Sequence, residues 1–264
     1  MKTDSLPRLF DLRDRVALLT GASGHLGSAF ADALAEAGAN VVCASRELER
    51  ARAAADRLTD DRGARHFAVQ LDQTDESSLN AGFDAAVAAA GKIDILVNNG
   101  HAGDAHDLTD VDEAQFNRVL ANATGYFLLA RRLRDHVVER GAPGSVVMIG
   151  SMYGVVGSYP DAYEDVCPAS PVSYHTLKGG VIHQTRHLAV YWAKDDVRVN
   201  CLSPGPFPSE KAPGEMVERL KRKSPMGRMG RPEELKGALL YFASDAGSYT
   251  TGQNLVVDGG WTAW

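Results

Sequence analysis

The stretch TGASGHLG at residues 20–27 places three glycines between a short apolar run and an alanine-rich run. The apolar run, residues 16–20, is followed by glycine, which is typical of a buried parallel strand. The alanine-rich run predicts a helix over residues 26–37, which Gly38 would end. A glycine turn between strand and helix leaves backbone N–H groups free at the start of the helix, where they can bind a pyrophosphate.

Each glycine of this loop has a separate predicted role. Gly21 permits the tight turn, Gly24 lets the backbone approach the phosphates, and Gly27 lets the helix pack closely on the strand. His25 falls at a variable position of the pattern T-G-x-x-G-x-x-G, where its side chain could border the phosphates or face solvent. The loop residues predicted to bind a cofactor are Gly21, Ser23, Gly24, His25 and Leu26.

Strand and helix patterns alternate along the rest of the chain. Predicted strands cover residues 16–20, 40–45, 66–71, 93–97, 145–149, 197–202 and 254–257. Predicted helices cover residues 26–37, 47–58, 76–90, 113–140, 173–193 and 232–243. The alternation predicts an α/β fold in a single domain over residues 1–264: a Rossmann-like, doubly wound parallel sheet with helices on both faces.

Two segments interrupt the alternation. Residues 152–172 are rich in Gly, Pro, Asp and Tyr, and residues 204–231 are rich in proline and include a short basic helix. Both follow predicted strands, and open α/β sheets bind their ligands beyond the carboxyl ends of the strands. We therefore expect both segments on the substrate side of the sheet.

Composition argues against several classes of function. The formal net charge of −6 disfavours nucleic acid as a partner, and the basic cluster at residues 221–223 is interpreted as a solvated face. Cys43, Cys167 and Cys201 show no CxxC spacing, so neither a disulfide framework nor a metal site is predicted. The chain has no apolar leader and no window near the roughly 18 apolar residues of a membrane span, which predicts a cytoplasmic protein without a membrane partner.

The end of the second predicted strand bears on the choice of nicotinamide cofactor. An acidic residue there binds the ribose 2′-hydroxyl of NAD(H), whereas Arg or Lys suits the 2′-phosphate of NADP(H). Ser45 and Arg46 occupy this position, with no Asp or Glu before them. NADP(H) is therefore the preferred prediction, and NAD(H) is possible because the adjacent Glu47 could offset the charge of Arg46.

Tyr174 and Lys178 form a Y-x-x-x-K pattern in the predicted helix over residues 173–193. Residues four apart lie on one face of a helix. A neighbouring ammonium favours the phenolate and lowers the pKa of a tyrosine, which improves proton exchange with an alcohol or a carbonyl. The same pattern also occurs as a surface pair, so it needs the support of other motifs.

Further motifs follow the glycine loop in order along the chain. They are Leu71-Asp72, Asn98-Asn99-Gly100, Asn122, Ser151, Tyr174 with Lys178, Asn200 through Pro204-Gly205 to Ser209, and Val257-Asp258-Gly259-Gly260. With these motifs, essentially the whole chain resembles the classical short-chain dehydrogenase/reductase (SDR) family.

The resemblance implies a role for each of these residues. Tyr174 would be the general acid/base, Lys178 would bind the nicotinamide ribose and depress the pKa of Tyr174, and Ser151 would hydrogen-bond the substrate oxygen. Asn122 would hold a water in a proton relay. The other cofactor contacts that it implies are Asp72, Asn98, Gly100, Pro204, Gly205, Phe207 and Ser209, besides Tyr174 and Lys178.

Three departures separate the chain from the classical pattern. The glycine loop has the spacing of the family's extended, nucleotide-sugar-modifying members. His101 stands where the family's N-N-A-G motif ends in glycine, and could face the substrate or fill space. Residues 152–173 put Tyr174 further from Ser151 than is usual, and the extra segment, residues 157–171, could wall the substrate pocket or form a surface loop.

The resemblance implies an NAD(P)-dependent oxidoreductase that interconverts a secondary alcohol and a ketone by hydride transfer. The polar extra segment, with His101 and His106 nearby, favours a small hydroxylated substrate such as a sugar, sugar acid or polyol. Two alternatives are a nucleotide-sugar epimerase or dehydratase and a non-catalytic NADP-sensing protein.

The resemblance also implies a homo-oligomer, usually a tetramer and alternatively a dimer. The contacts would be made by the two long helices, residues 113–140 and 173–193, and by the C-terminal strand. Trp261 and Trp264 follow that strand, which fits an interface.

Overall fold

The computed structural model describes residues 5–59, 63–104, 106 and 108–263. The strands are β1 (Val16–Thr20), β2 (Asn40–Ser45), β3 (His66–Gln70), β4 (Ile95–Asn98), β5 (Gly144–Ile149), β6 (Val197–Pro204) and β7 (Asn254–Val257). Within the described residues these seven strands form one sheet in the order β3-β2-β1-β4-β5-β6-β7, and every neighbouring pair is parallel. The predicted fold class is confirmed.

Helices cover both faces of the sheet. They are α1 (Leu6–Leu9), α2 (His25–Glu36), α3 (Leu48–Asp56), α4 (Glu76–Ala90), α5 (Glu113–Glu139), α6 (Pro160–Tyr163), α7 (Val172–Trp192), α8 (Gly214–Lys221) and α9 (Lys236–Ala243). Along β1, Val16 and Leu18 face a core covered by α4, α5 and α7, while Ala17 and Leu19 face a core covered by α2, α3 and α9. Because both of its faces are buried, the central strand β1 is a nearly continuous apolar run without polar alternation.

Most element boundaries agree with the predicted ones to within two residues, and the fourth strand shows why they differ. β4 begins at Ile95, not at the predicted Ile93. The Ile93 N–H donates to the imidazole Nε2 of His136 at 3.1 Å. The Asp94 carboxylate accepts the N–H of Val16 at 2.9 Å. Side-chain partners of this kind cannot be read from an apolar run.

Two further differences concern helices. The predicted helix over residues 232–243 is divided into a 3₁₀ turn, Pro232–Leu235, and helix α9. The segment 157–171, predicted without regular structure, contains the short helix α6. The basic helix expected in the second interrupting segment is α8.

The order of the strands reverses at β1, which lies between β2 and β4. The helices that follow β1 and β4, α2 and α5, pack on opposite faces of the sheet. In a sheet of this kind, the crevice between the two carboxyl ends is where a ligand can enter. The glycine loop follows β1 and residues 99–102 follow β4, so both lie at this crevice.

No helix in the described residues combines the length and the apolar composition needed to cross a bilayer. The described residues also contain no group of three or more His, Cys, Asp or Glu side chains that could hold a metal ion. Trp261, predicted to fit an interface, instead packs inside the chain against Met152, Ala162 and Leu220, and Trp264 lies outside the described residues. Single-domain organisation over residues 1–264 stays a prediction.

Candidate active site

The glycine loop makes the tight turn between β1 and α2. Gly21 has a φ of +65°, in the left-handed region that favours glycine, and its N–H donates to the Ala44 carbonyl at 3.0 Å. A Cβ on Gly27 would lie 2.0 Å from the Gly21 carbonyl oxygen. Glycine at position 27 therefore allows α2 to approach the turn this closely.

Helix α2 begins without a side-chain cap. Its N-cap residue is Gly24, which has no side chain to accept a hydrogen bond from the first turn. The first N–H groups of a helix have no acceptor within the helix itself. Those of His25 and Leu26 are therefore available to an anion at the positive end of the helix dipole.

Thr20 and Asn99 join the loop to the end of β4. The Asn99 Nδ2 donates to the carbonyl oxygens of Thr20 and Gly21, both at 3.1 Å. The Thr20 hydroxyl accepts the N–H of Asn99 at 3.0 Å and that of Gly100 at 2.9 Å. These bonds hold the two sides of the crevice at a fixed separation.

A first cavity, of about 310 Å³, opens over this loop. The predicted cofactor residues that line it are Gly21, Ser23, Gly24, His25, Leu26, Ser45, Arg46, Asp72 and Gly100. Arg50, Gln73 and His101 also line it, although they were not predicted to bind the cofactor. The Asp72 carboxylate is held by the N–H and the hydroxyl of Thr74, at 2.9 and 2.7 Å.

One end of the first cavity carries two arginines and one glutamate. Its lining residues are Ser45, Arg46, Glu47 and Arg50. Glu47, which could have offset Arg46, pairs instead with the Arg50 Nε at 2.9 Å. Within the described residues, no carboxylate pairs with the Arg46 guanidinium. Arg50 could have been found from its position three residues after Glu47, a spacing that pairs side chains on a helix.

These features fit a nicotinamide dinucleotide. The cradle consists of a glycine turn, an uncapped helix start and a basic end, which match a pyrophosphate and a phosphorylated or hydroxylated ribose. Gly100 leaves little room for a side chain, because a Cβ there would lie 2.4 Å from the Gln73 Oε1. The chemistry of the donors and the shape of the loop therefore agree with the predicted class of cofactor.

Gln73 and Asn122 form a polar pair beneath this cavity. The Gln73 Nε2 donates to the Gly100 carbonyl at 2.6 Å and to the Asn122 Oδ1 at 2.8 Å. The Asn122 Oδ1 also accepts the Ala102 N–H at 2.8 Å. Its Nδ2 donates to the carbonyls of Ala102, at 2.9 Å, and Val119, at 2.7 Å.

The Asn122 side chain therefore has no capacity left for a water. An amide side chain offers two donors and two acceptor sites, and protein groups occupy all four. That Asn122 holds a relay water stays a prediction, which a group other than this amide would have to fulfil. The amide itself positions residues 100–102, with Gln73, at the edge of the first cavity.

A second cavity, of about 390 Å³, lies beside the first. Ser151 and Tyr174 line it together with His101, which lines both cavities. The two interrupting segments supply much of the remaining wall, as expected. Their lining residues are Met152, Tyr153, Tyr163, Ser170, Pro171, Gly205, Pro206, Phe207, Pro208, Ala212, Met216 and Leu220.

Tyr174 and Ser151 are adjacent on this wall. Burial raises the pKa of Tyr174 above its usual range, and a hydrogen bond with the Ser151 hydroxyl lowers that pKa by a smaller amount. The Ser151 hydroxyl also accepts the Tyr153 N–H at 3.1 Å. The phenol is therefore protonated at neutral pH, and two hydroxyl groups face the same space.

Lys178 lies behind Tyr174. Its Nζ donates to the Ile149 carbonyl at 2.7 Å and lies 5.5 Å from the centre of the Tyr174 ring. Burial lowers the pKa of Lys178 to about 8. The predicted lowering of the Tyr174 pKa by Lys178 is not found: burial raises that pKa, the Ser151 hydroxyl is the group that lowers it, and the Lys178 amine faces the ring and a carbonyl.

Four predicted cofactor residues line neither cavity: Lys178, described above, and Asn98, Pro204 and Ser209. Asn98 is completely buried, and its Nδ2 donates to the Tyr126 carbonyl at 3.0 Å. Pro204 is buried at the end of β6, and Ser209 is exposed beyond it. The neighbouring Asn99 lines the first cavity instead of Asn98. Gly205 and Phe207 line the second cavity and not the first.

The extra segment, residues 157–171, is held against α8. The Arg219 guanidinium donates to the carbonyls of Asp161, at 3.1 Å, and Glu164, at 2.7 Å. The Lys223 Nζ pairs with the Asp161 carboxylate at 2.6 Å. The two segments therefore form one connected wall and not two independent surface loops.

Comparisons with known proteins agree with this geometry. Residues 21–262 match a family model described as enoyl-(acyl carrier protein) reductase. The structure is similar to a short-chain type dehydrogenase/reductase from Mycobacterium marinum, with a TM-score of 0.88, 35% sequence identity, and coverage of 99% of this chain and 100% of that one. The chain belongs to the classical short-chain dehydrogenase/reductase family.

Two relatives illustrate the activities of SDR proteins similar to this one. The galactitol 2-dehydrogenase (L-tagatose-forming) of Cereibacter sphaeroides is 36% identical over 97% of this chain and 98% of its own length. A gluconate 5-dehydrogenase from Burkholderia cenocepacia, solved in complex with NADP and tartrate, has a TM-score of 0.86 and 29% identity, covering 98% of this chain and 100% of its own. As an SDR enzyme, this protein is an NAD(P)-dependent oxidoreductase of secondary alcohols and ketones.

Proposed function

We propose that this SDR enzyme interconverts the secondary alcohol and ketone of a small hydroxylated molecule, such as a sugar, sugar acid or polyol derivative, and prefers NADP(H). The observation that carries the proposal is the adjacency of the Ser151 and Tyr174 hydroxyls on the wall of the second cavity, which meets the first at His101. A single carbon–oxygen group can contact both hydroxyls there.

Ser151 and Tyr174 have different roles at the reacting oxygen. In reduction, the protonated phenol of Tyr174 donates its proton to the carbonyl oxygen, while the Ser151 hydroxyl donates a hydrogen bond to the same oxygen. In oxidation, the Tyr174 phenolate accepts the proton of the alcohol. A bound nicotinamide supplies or takes up the hydride. Because burial raises the pKa of Tyr174, we expect oxidation to be faster at alkaline pH than at neutral pH.

Lys178 orients the catalytic tyrosine. Its hydrogen bond to the Ile149 carbonyl fixes the amine at the end of β5, and its position over the Tyr174 ring limits the motion of that ring. The resemblance to the family assigns the same amine to the nicotinamide ribose.

The preference for NADP(H) is supported by the basic end of the first cavity. Arg46 has no carboxylate partner within the described residues, and Glu47 pairs with Arg50. A 2′-phosphate there would gain charge-assisted hydrogen bonds from guanidinium groups that are already in place.

The substrate class is supported by the cavity and by the relatives. A volume of about 390 Å³ lies at the lower end of the range for small-molecule sites, which suits a compact substrate. The relatives named for galactitol and gluconate act on open-chain polyols or sugar acids according to their names.

A panel of substrates tests the proposal. Ketones such as L-tagatose and butan-2-one are assayed with NADPH and NADH near pH 7, and alcohols such as galactitol and gluconate with the oxidised cofactors near pH 9. UDP-glucose in the same panel tests the nucleotide-sugar alternative. The readout is the absorbance of the reduced nicotinamide, and we expect turnover with NADPH to exceed that with NADH.

Two variants separate catalysis from folding. Tyr174→Phe should lower kcat by about 10²- to 10⁴-fold, the usual contribution of a general acid, while the variant still binds the cofactor. Tyr191→Phe, an exposed tyrosine on the same helix, is the matched control and should keep full activity. Cofactor binding without turnover across the panel would instead favour a cofactor-sensing protein, and an active Tyr174→Phe enzyme would refute the assignment.

A further inference from the structure

His101 is the residue at which the two cavities meet. It lines both of them and is exposed to the space between. Its imidazole contacts Tyr174 edge to face, with the ring centres 5.3 Å apart and the planes at 77°. A substrate whose carbon–oxygen group touches Ser151 and Tyr174 must therefore place its neighbouring atoms close to this imidazole.

The hydrogen-bonding capacity of His101 is unused. Within the described residues, no group hydrogen-bonds either ring nitrogen of His101. The protein groups that surround the ring, and to a smaller extent the charge of Lys178, lower the pKa of His101, although the ring keeps an exposed edge. At neutral pH the ring is therefore uncharged and offers one N–H donor and one nitrogen acceptor.

The other polar side chains of the second cavity, apart from Ser151 and Tyr174, already have protein partners. The pairs are Asp104 with His106 and with Arg118 (3.1 Å), Ser170 with His175 (3.1 Å), and Tyr153 with Tyr163 (2.8 Å). Burying a substrate hydroxyl against the apolar remainder of the wall would cost free energy unless it found a partner. His101 can be that partner.

The ring of His101 is also held in place. A Cβ on Gly103 would lie 3.1 Å from the Nε2 of His101, so the loop packs against that edge of the ring. Tyr174 packs against the ring from another side. A positioned imidazole loses little conformational freedom when it binds, which makes it suitable for choosing between substrates.

We propose that His101 hydrogen-bonds a second oxygen of the substrate, on the carbon next to the reacting one, and so selects vicinal diols and α-hydroxy ketones over molecules with one oxygen. This inference rests on the proposed function, because it takes the reacting group to lie at Ser151 and Tyr174. It assigns a specificity-determining residue where the family motif has glycine.

Matched substrate pairs test the inference. With NADPH, kcat/KM is measured for 3-hydroxybutan-2-one and for butan-2-one, which differ by one hydroxyl. Independently of turnover, calorimetry gives the Kd of butane-2,3-diol and of butan-2-ol for the enzyme loaded with NADP⁺. One neutral hydrogen bond predicts that the wild type prefers the molecule with two oxygens by about 2- to 10-fold in each pair.

Three variants identify the source of that preference. His101→Phe keeps an aromatic ring against Tyr174 but removes both nitrogens. It should abolish the preference by weakening kcat/KM and Kd for the molecule with two oxygens more than for the molecule with one. His101→Gln restores a donor and an acceptor and should recover part of the preference. The control is His187→Phe, since His187 is exposed on α7 and lines neither cavity, and this variant should behave as the wild type.

The outcomes separate the two proposals. A wild type without a preference for the second oxygen in calorimetry, or a His101→Phe variant that keeps it, would overturn the role of His101. If His101→Phe weakened the binding and turnover of both members of a pair equally, the role of His101 would also be overturned, since such a result indicates a structural role only. Failure of the wild type to turn over any ketone while the calorimetric preference depends on His101 would contradict the proposed function and support the contact.

Discussion

At the scale of single residues, Lys178 shows how burial changes chemistry. Its amine is buried with one hydrogen bond to a carbonyl, and its pKa is lowered to about 8. In an unfolded chain the same amine has a pKa of about 10.4. Between these two values the unfolded chain keeps a proton that the folded chain has lost, so the contribution of Lys178 to stability rises with pH in this window.

Because the contribution of Lys178 to stability rises with pH, we predict that Lys178→Met has a higher free energy of unfolding than the wild type near pH 7 and loses that advantage near pH 10. Below pH 8 the folded wild type must bury an ammonium, and methionine relieves that cost. The difference between the two free energies of unfolding should change by an amount on the order of 3 kcal/mol across the window. Urea unfolding of both proteins at the two pH values measures it.

The exposed Lys194 provides the control for this experiment. Lys194→Met removes the same charge from the surface, and its effect on the free energy of unfolding should be nearly independent of pH. A difference between Lys178→Met and the wild type that stayed constant from pH 7 to pH 10 would contradict the lowered pKa.

The functional residues that belong to motifs could be predicted from the sequence. The surroundings of residues that depend on contacts between distant parts of the chain could not. Ser151 and Tyr174 were found from their motifs, and the structure brings them together. The motif spacing gave no sign that Asn98 is buried away from the cavity or that protein groups occupy every hydrogen-bonding site of the Asn122 amide. Those facts depend on packing between elements and on bonds to distant residues, such as the one between Asn122 and Gln73, 49 positions apart.

At the scale of elements, the turn from β2 into α3 bears on whether the enzyme prefers NADPH or NADH. Arg46 should bind the 2′-phosphate, so Arg46→Ala should raise the Kd of NADPH by about 10-fold or more, the usual value of a charge-assisted hydrogen bond. The Kd of NADH, which has no such phosphate, should be unchanged. Titration of the nicotinamide fluorescence measures both constants.

A second arginine on α3 makes the test specific. Arg52 pairs with Glu49 at 2.6 Å and does not line the cavity, so Arg52→Ala should leave both constants unchanged. Equal weakening of NADPH and NADH by Arg46→Ala would place the arginine on a shared part of the cofactor. Tighter binding of NADH than of NADPH by the wild type would refute the preference itself.

The boundaries of the elements followed from periodicity and glycine, except where a side chain took the place of a backbone partner. His136 does so before β4. The helix α6 was missed because a four-residue segment is too short to show helical periodicity. Its contacts with Arg219 and Lys223 lie more than fifty residues away in sequence, so only the folded chain shows that the extra segment is a wall.

At the scale of the whole molecule, the parallel sheet was predictable because its central strands β1, β4 and β5 are buried on both faces. A strand that is buried on both faces has an apolar sequence. A parallel neighbour requires a crossover connection, usually a helix. These two requirements produce the alternation of strand and helix patterns in the sequence. The folding of a single chain places no such requirement on its surface side chains, so the oligomeric state of the protein stays a prediction.

One face of the molecule nevertheless favours the predicted homo-oligomer. Val190 and Tyr191 on α7 are 78% and 61% exposed. Beside them, β7 is an edge strand of the sheet within the described residues. A groove of about 790 Å³ runs between α7 and β7. Apolar groups beside an unpaired strand edge are typical of a surface that a second chain covers.

We predict that the wild type sediments as a dimer or tetramer at micromolar concentration, and that Val190→Glu shifts it to smaller species, because burying a carboxylate opposite another chain is costly. The control is Leu6→Glu, which places the same charge on an apolar residue of α1 that is 68% exposed. This variant should sediment as the wild type does. A monomeric wild type, or equal dissociation by both variants, would contradict assembly through α7 and β7.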